Sequence, residues 1–160
     1  MGDINGDGKA EIIVGAGPGN KPQLKVFDAR GRYLGWELIA FHPDFKRGIN
    51  VAAGDVDLDG RDEIGVCQKA SGHAWCKVYE YNKQKTILGE WNAYGNVSCG
   101  ASIDLADING DGKDEVITSP GPGYRSKIRT FSSSGKALNY GFLAFGRAER
   151  VGFNLALKNN

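Results

Sequence analysis

Short apolar or alternating segments, separated by turn residues, run along the whole chain. The first four lie at about Glu11 to Ala16, Gln23 to Asp28, Gly35 to His42 and Gly48 to Ala53. Segments of this length, rich in valine, isoleucine and aromatic residues, are typical of β-strands, and many of the 24 glycines stand between them. The pattern therefore predicts an all-β protein built from many short strands.

The same pattern recurs with a fixed period. Asp3, Asp55 and Asp107 are each 52 positions apart, and Gly15 to Gly19 returns as Ser119 to Gly123. A repeat of this length with four strands is typical of a propeller blade, since one unit alone could not bury its apolar face. The sequence predicts three four-stranded blades of 52 residues. Their expected bounds are about 1–47, 48–99 and 100–151.

The repeats are offset by one strand relative to the chain. Residues 152–160, and Gly152 to Lys158 in particular, correspond to the first strand of a following blade, whereas blade 1 lacks that strand. Three blades are too few for a ring, which takes about four to eight. We therefore expect the 152–158 strand to complete blade 1 of another copy, which would give a closed ring or an open filament.

Each repeat contains one acidic, glycine-rich loop of nine residues. Side-chain oxygens at positions 1, 3 and 5 converge, the glycine at position 6 permits a turn that brings the position 7 carbonyl inward, and the acid at position 9 closes the site. Such oxygen ligands suit Ca²⁺, so we expect up to three ions, one per repeat. The candidate ligands are Asp3, Asn5, Asp7, Lys9, Glu11, Asp55, Asp57, Asp59, Arg61, Glu63, Asp107, Asn109, Asp111, Lys113 and Glu115.

Two alternatives compete with this interpretation of the loops. An EF-hand would need a bidentate glutamate at position 12, where Val14, Val66 and Thr118 stand, and a helix would follow instead of a strand. A turn without metal would also favour these residue types. However, three or four carboxylates within nine residues would repel one another without a cation. The second loop is the most acidic, so we expect it to bind calcium most tightly.

With these loops, the chain resembles the FG-GAP/VCBS repeats of integrin α-subunit-type β-propellers. The resemblance also draws on Gly15 to Gly19, Ser119 to Gly123 and Phe41 to Ala53, and it covers nearly all of 1–160 as one repeat region. It implies that calcium loops brace the blades of an extracellular adhesion, lectin-like or enzyme-associated protein. Two features depart from the family: glutamate at position 9, where aspartate is common, and Cys67 to Cys76 in place of the Gly-Pro-Gly stretch.

The cysteines add a prediction about the second repeat. Cys67 and Cys76 lie symmetrically about the turn at Ser71-Gly72, so they can form a disulfide across a hairpin, as suits an exported protein. The alternative is a pair of buried free thiols. Cys99 is left over, either free or bridged to another copy. Asn96 opens a glycosylation sequon in a predicted loop.

The same stretch holds a candidate ligand site, since a loop that differs from its siblings is a place for binding. Trp75 could stack on a sugar, with His73 beside it. The alternative is that Trp75 packs beside the disulfide and His73 is merely exposed.

Charge and composition exclude several function classes. Ten of the 19 acids are candidate ligands, which leaves 20 basic residues against nine acids and favours weak binding of anionic polymers or cell-surface glycans. The basic residues are scattered, which argues against nucleic acid, and no apolar run approaches the length of a membrane span. The two histidines have no recognisable nucleophile, and carboxylates that recur in every repeat argue for a scaffold.

The sequence as a whole predicts a non-enzymatic, calcium-binding propeller module of an extracellular or cell-surface protein, acting in adhesion or self-assembly. One alternative is a lectin-like carbohydrate-binding domain with its site near Trp75. Another is an accessory propeller of a polysaccharide-active enzyme, whose catalytic residues would lie outside these 160 residues.

Overall fold

A computed structural model describes residues 1–153 and residue 155. Within that part of the chain the protein is all-β, and no helix there is long and apolar enough to cross a bilayer. Ten strands form three antiparallel sheets. The strands are β1 (Ile12–Gly15), β2 (Gln23–Phe27), β3 (Tyr33–Ile39), β4 (Ile49–Gly54), β5 (Glu63–Gln68), β6 (Trp75–Tyr79), β7 (Ile87–Asn92), β8 (Ala101–Ala106), β9 (Glu115–Pro120) and β10 (Arg129–Phe131).

The second sheet shows the predicted blade in full. Its strands pair in chain order, β4-β5-β6-β7, each antiparallel to the next. Cys76 and Val78 of β6 are buried, whereas Trp75 before them is exposed. This alternation matches the two faces of a strand. The sheet is a four-stranded meander, as the sequence predicts.

The first and third sheets each contain three strands. In the first, β1-β2-β3, the Gly2–Glu11 bridge corresponds to the Gly54–Glu63 pair that ends β4 and begins β5. In the third, β8-β9-β10, the predicted fourth strand is reduced to two isolated bridges, one of them between Lys127 and Leu143. The apolar side chains of this segment are exposed, so burial contributes little to holding it as a strand.

The sheets pack face to face, and the core lies between them. Leu24 and Val26 of the first sheet are buried with Ile64 and Val66 of the second. A second core joins the second sheet to the third. A Cβ on Gly65 would lie 2.7 Å from Cδ1 of Leu105, so glycine permits β5 to approach β8. The all-β, propeller-like fold is confirmed, although the three sheets do not close a ring.

Part of the predicted strand 152–158 lies outside the described residues, namely Asn154 and 156–158. Phe153 and Leu155 are described, and both pack against the apolar cluster of Ala106, Ile117 and Ile128 on the third sheet. The backbone before them repeats an earlier contact. Gly123 N–H donates to the Arg150 carbonyl at 2.9 Å, as Gly19 N–H donates to the Lys46 carbonyl at 2.8 Å just before β4.

Candidate metal centre

Three loops, at Asp3–Glu11 (loop 1), Asp55–Glu63 (loop 2) and Asp107–Glu115 (loop 3), connect the first two strand positions of each blade. In loop 1 the Asp3 carboxylate accepts hydrogen bonds from Gly6 N–H at 2.8 Å and Gly8 N–H at 2.7 Å. Lys9 N–H donates to Oδ1 of Asp7 at 2.9 Å. These are side chain to backbone bonds of the kind that aspartate makes in tight turns. The loop backbone is therefore defined by its own acidic side chains.

Loops 2 and 3 repeat this arrangement. The first aspartate accepts from position 4, Leu58 N–H at 2.7 Å or Gly110 N–H at 2.6 Å, and the position 6 glycine donates to its other oxygen. Positions 4 and 6 have positive φ in every loop. Leu58, with φ of 70°, is the single non-glycine residue among the six.

Loop 2 brings three carboxylates together. Asp55, Asp57 and Glu63 each offer one oxygen, and these oxygens lie within 4.8 Å of one another. Ligand oxygens surround Ca²⁺ at about 2.3–2.6 Å, so oxygens bound to one ion stand up to about 5 Å apart. The cluster therefore fits one shared, hard divalent cation.

Glu63 carries the clearest electrostatic signature of this cluster. Burial, with a further contribution from the charges of Asp57, Asp59 and Asp55, raises its pKa to about 7, although the hydrogen bond from Val56 N–H opposes the shift. Its side chain is 4% exposed. A buried carboxylate among like charges is stabilised in its charged form by a nearby cation.

Asp59, the predicted ligand at position 5 of loop 2, faces Arg61. The Arg61 Nε donates to Oδ2 of Asp59 at 3.1 Å, and Nη2 lies 2.5 Å from the same oxygen. These bonds hold the pKa of Asp59 below its usual range. The fourth carboxylate of this loop is therefore engaged by a guanidinium and lies apart from the cluster of three.

In loop 1 the closing acid has an unpaired oxygen. Glu11 is 3% exposed, and its Oε2 has no hydrogen-bond partner in the described part of the chain. Burial raises its pKa, followed by the charges of Asp7 and Asp3. Because an unpaired buried oxygen is costly, this environment also fits a cation.

In loop 3 an amide stands between the acids. The Nδ2 of Asn109 donates to Oδ2 of Asp111 at 3.0 Å and to Oε1 of Glu115 at 2.7 Å. Glu115 is buried, and that burial raises its pKa. The two N–H groups of the neutral Asn109 amide thus reduce the repulsion between Asp111 and Glu115.

Two acids that the sequence analysis left without a role connect neighbouring blades. Asp3 N–H donates to Oδ2 of Asp62 at 2.9 Å, and Asp62 N–H donates back to the Asp3 carbonyl at 3.0 Å. Asp114 N–H likewise donates to the Asp55 carbonyl at 2.8 Å. The available signal was an acid at position 8 of loops 2 and 3, where loop 1 has Ala10.

The cysteine prediction is confirmed. Cys67 and Cys76 form a disulfide, and they are directly opposite each other in the β5–β6 pairing. Cys99 is free and 1% exposed, and its burial raises the pKa of its thiol. His73 and Trp75 are both exposed at the start of β6, Trp75 at 39%. Sugar binding at this pair stays a prediction.

Comparisons with known proteins agree with the resemblance of the loops. Residues 3–66 match the family model of the FG-GAP-like repeat. The chain is similar to "Integrin alpha pat-2" of Caenorhabditis elegans, with 28% identity over 124 residues. That alignment covers 62% of this chain and 10% of the relative, so the chain spans about a tenth of its length. No solved structure matches the chain.

Proposed function

We propose that the chain is a calcium-binding, non-enzymatic propeller module of an extracellular or cell-surface protein that acts in adhesion. Two findings support this: residues 3–66 match the family model of the FG-GAP-like repeat, and the chain is similar to an integrin α chain. Calcium would bind in the three loops and neutralise acids that the fold holds close together.

The acid cluster of loop 2 carries this proposal. Three carboxylate oxygens within 4.8 Å of one another repel strongly unless protons or a cation intervene. Asp55, Asp57 and Glu63 would be side-chain ligands, with the carbonyl of Arg61 at position 7. Since all ligands are oxygens and several are charged, Ca²⁺ suits the site better than a softer metal.

A scaffold role accounts for the repetition of the carboxylates. The same backbone arrangement recurs in all three loops, whereas a catalytic group is normally needed once. The similarity to an integrin α chain supports a role in adhesion. The disulfide supports an extracellular or cell-surface location, since disulfides persist in oxidising compartments.

Binding of further copies through residues 152–158 is also a proposal. Phe153 and Leu155 pack against the third sheet. Ile49, the first residue of β4, has the matching place on the first sheet, where its N–H donates to the Ala16 carbonyl at 3.1 Å. β4 pairs with β5, so the 152–158 segment would pair with β1 of another copy. Native mass spectrometry should then show dimers or longer assemblies, and a monomer at all concentrations would contradict it.

Calorimetric titration of the chelator-treated protein tests the calcium proposal. We expect calcium to bind at more than one site and to raise the melting temperature, since any ligand that binds only the folded state stabilises it. Magnesium at equal concentration is the matched control and should bind more weakly, because it prefers rigid octahedral sites. Absence of calcium binding, together with an unchanged melting temperature, would refute the proposal.

A further inference from the structure

Two hydrogen bonds join loop 1 to the next blade at a single residue. Asp3 donates its N–H to the Asp62 carboxylate and accepts the Asp62 N–H at its own carbonyl, at 2.9 and 3.0 Å. Asp62 therefore holds both sides of the main chain at position 1 of loop 1.

Position 1 is the residue that organises its loop. The Asp3 carboxylate accepts the N–H groups of Gly6, Asp7 and Gly8, and it is the first candidate calcium ligand. A side chain can meet an ion reproducibly only when its backbone is fixed. Asp62, which belongs to loop 2 in sequence, thus fixes the first ligand of loop 1 in space.

The residue before the loop is shaped for this contact. A Cβ on Gly2 would lie 2.2 Å from Oδ2 of Asp62, a distance that no side chain could tolerate. The same separation, 2.2 Å, holds between a Cβ on Gly54 and Oδ2 of Asp114. The close approach therefore occurs at both blade junctions, with glycine before the loop on one side and aspartate at position 8 on the other.

The second junction repeats the backbone hydrogen bond and the close approach. Asp114 N–H donates to the Asp55 carbonyl at 2.8 Å, and the carboxylate of Asp114 lies beside Gly54, the residue before loop 2. Asp62 accepts a backbone hydrogen bond from Asp3, so it is the cleaner residue for a test.

From this geometry we infer that Asp62 and Asp114 are positioning residues for calcium in the preceding blade, so that each ion is held by one blade and aligned by the next. The inference rests on the proposed calcium function. Substitution of Asp62 should therefore lower the calcium affinity of loop 1 and leave that of loop 2 nearly unchanged, although Asp62 itself lies in loop 2.

The test uses three glycine amides as site-specific reporters. Gly8, Gly60 and Gly112 each donate N–H to the first aspartate of loops 1, 2 and 3, so their nitrogen and proton shifts follow calcium at each loop separately. Calcium is titrated into the ¹⁵N-labelled full chain and into the Asp62→Ala and Asp62→Asn variants. The spectra also show whether each variant is folded.

We expect Asp62→Ala to lower the calcium affinity of loop 1, reported by Gly8, on the order of tenfold, because one charge-assisted hydrogen bond is lost. The calcium affinity of loop 2, reported by Gly60, should change less than twofold. Asp62→Asn keeps an acceptor oxygen and removes the charge. It should therefore retain most of the affinity of loop 1, which a purely electrostatic role would not allow.

Two results would overturn the inference. One is a larger loss of calcium affinity at loop 2, reported by Gly60, than at loop 1, reported by Gly8, in Asp62→Ala. The other is an equal loss of calcium affinity at loop 1 in the alanine and asparagine variants. If Asp62→Ala does not fold, the asparagine variant and Asp114→Asn, read at Gly60, still decide between charge and hydrogen bonding. If the wild-type chain shows no calcium-dependent shift at any reporter, the proposed function itself fails, and the inference fails with it.

Discussion

Loops 2 and 3 have nearly the same backbone, but their acidic side chains have different neighbours. In loop 2, Asp57 adds a third carboxylate to the cluster with Asp55 and Glu63. In loop 3, Asn109 takes the same position, and its amide donates to both Asp111 and Glu115. The two loops therefore share a backbone arrangement, and the residue at position 3 decides how many carboxylates are grouped without an amide between them.

The largest difference should appear when the first aspartate is removed. Asp55→Ala deletes the acceptor for Leu58 and Gly60 N–H and one oxygen of the cluster. We expect it to lose calcium at loop 2 and to lower the free energy of unfolding in saturating calcium by about 3 kcal/mol, from lost hydrogen bonds and lost binding together. Urea denaturation with and without chelator measures both parts.

Asp107→Ala is the matched variant in loop 3. It loses the same kind of backbone bonds, so the two variants should agree in chelator and differ in calcium, with Asp55→Ala the more damaged. Equal losses in calcium would mean that loop 2 has no advantage as a cation site.

Exchanging the residues at position 3 should reverse the difference in calcium affinity between loops 2 and 3. Asn109→Asp removes two donated hydrogen bonds and adds a charge, so we expect a loss of about 1–2 kcal/mol without calcium and tighter calcium binding at loop 3. Asp57→Asn should weaken calcium at loop 2. Both are measured by calorimetry and urea denaturation.

The double variant Asp57→Asn/Asn109→Asp controls for net charge, because it leaves the number of acids unchanged. Calcium affinity should then be higher at loop 3 than at loop 2. An unchanged order of affinities would show that position 3 does not set it.

The stability of the calcium-free protein should also depend on pH through Glu63 of loop 2. The pKa of Glu63 is about 7 in the fold and 4.5 as its reference value, so the folded state binds the proton more tightly. The free energy of unfolding should therefore fall as pH rises from about 4.5 to about 7 and change little above that. Denaturation in chelator between pH 4.5 and 8 measures this slope.

Glu63→Gln should flatten the slope, since glutamine does not titrate. Saturating calcium should also flatten it or reverse it, because the ion favours the charged form of the acid. A slope of the opposite sign in the calcium-free wild type would contradict the assigned environment of Glu63.

Period and residue type were enough to predict the repeated β-blades, the loops and the Cys67–Cys76 disulfide. Each of these depends on contacts within one repeat: strand alternation, aspartate in a tight turn, and two cysteines across one hairpin. The 52-residue period then carried the prediction from one blade to the next.

The missed features all depend on how blades or side chains meet in space. Asp62 binds a residue 59 positions away, and only the packed blades show that it faces Asp3. Position 7 is basic in all three loops, yet in the described part of the chain only Arg61 forms an ion pair with the acid at position 5, Asp59, so the repeat could not predict it. The unpaired Oε2 of Glu11 likewise requires knowledge of burial.

The smallest predicted effect concerns position 4, where loop 2 has Leu58 and loops 1 and 3 have glycine. A φ of 70° costs a non-glycine residue about 1 kcal/mol, whereas glycine loses about 0.5–1 kcal/mol through the entropy of the unfolded chain. The Leu58 side chain is 54% exposed, so its removal costs little burial. Leu58→Gly should therefore raise the free energy of unfolding by no more than about 0.5 kcal/mol.

Gly110→Leu is the reverse change in loop 3 and should lower the free energy of unfolding by no more than about 0.5 kcal/mol, because the smaller entropy of the unfolded chain offsets part of the strain at a φ of 82°. Urea midpoints at constant slope measure both variants. The Leu58 side chain lies close to loop 3, since its Cδ2 would lie 3.3 Å from a Cβ on Gly112. If Leu58→Gly loses more than 1 kcal/mol, that contact between loops 2 and 3 outweighs the backbone strain, and the leucine serves to join neighbouring blades.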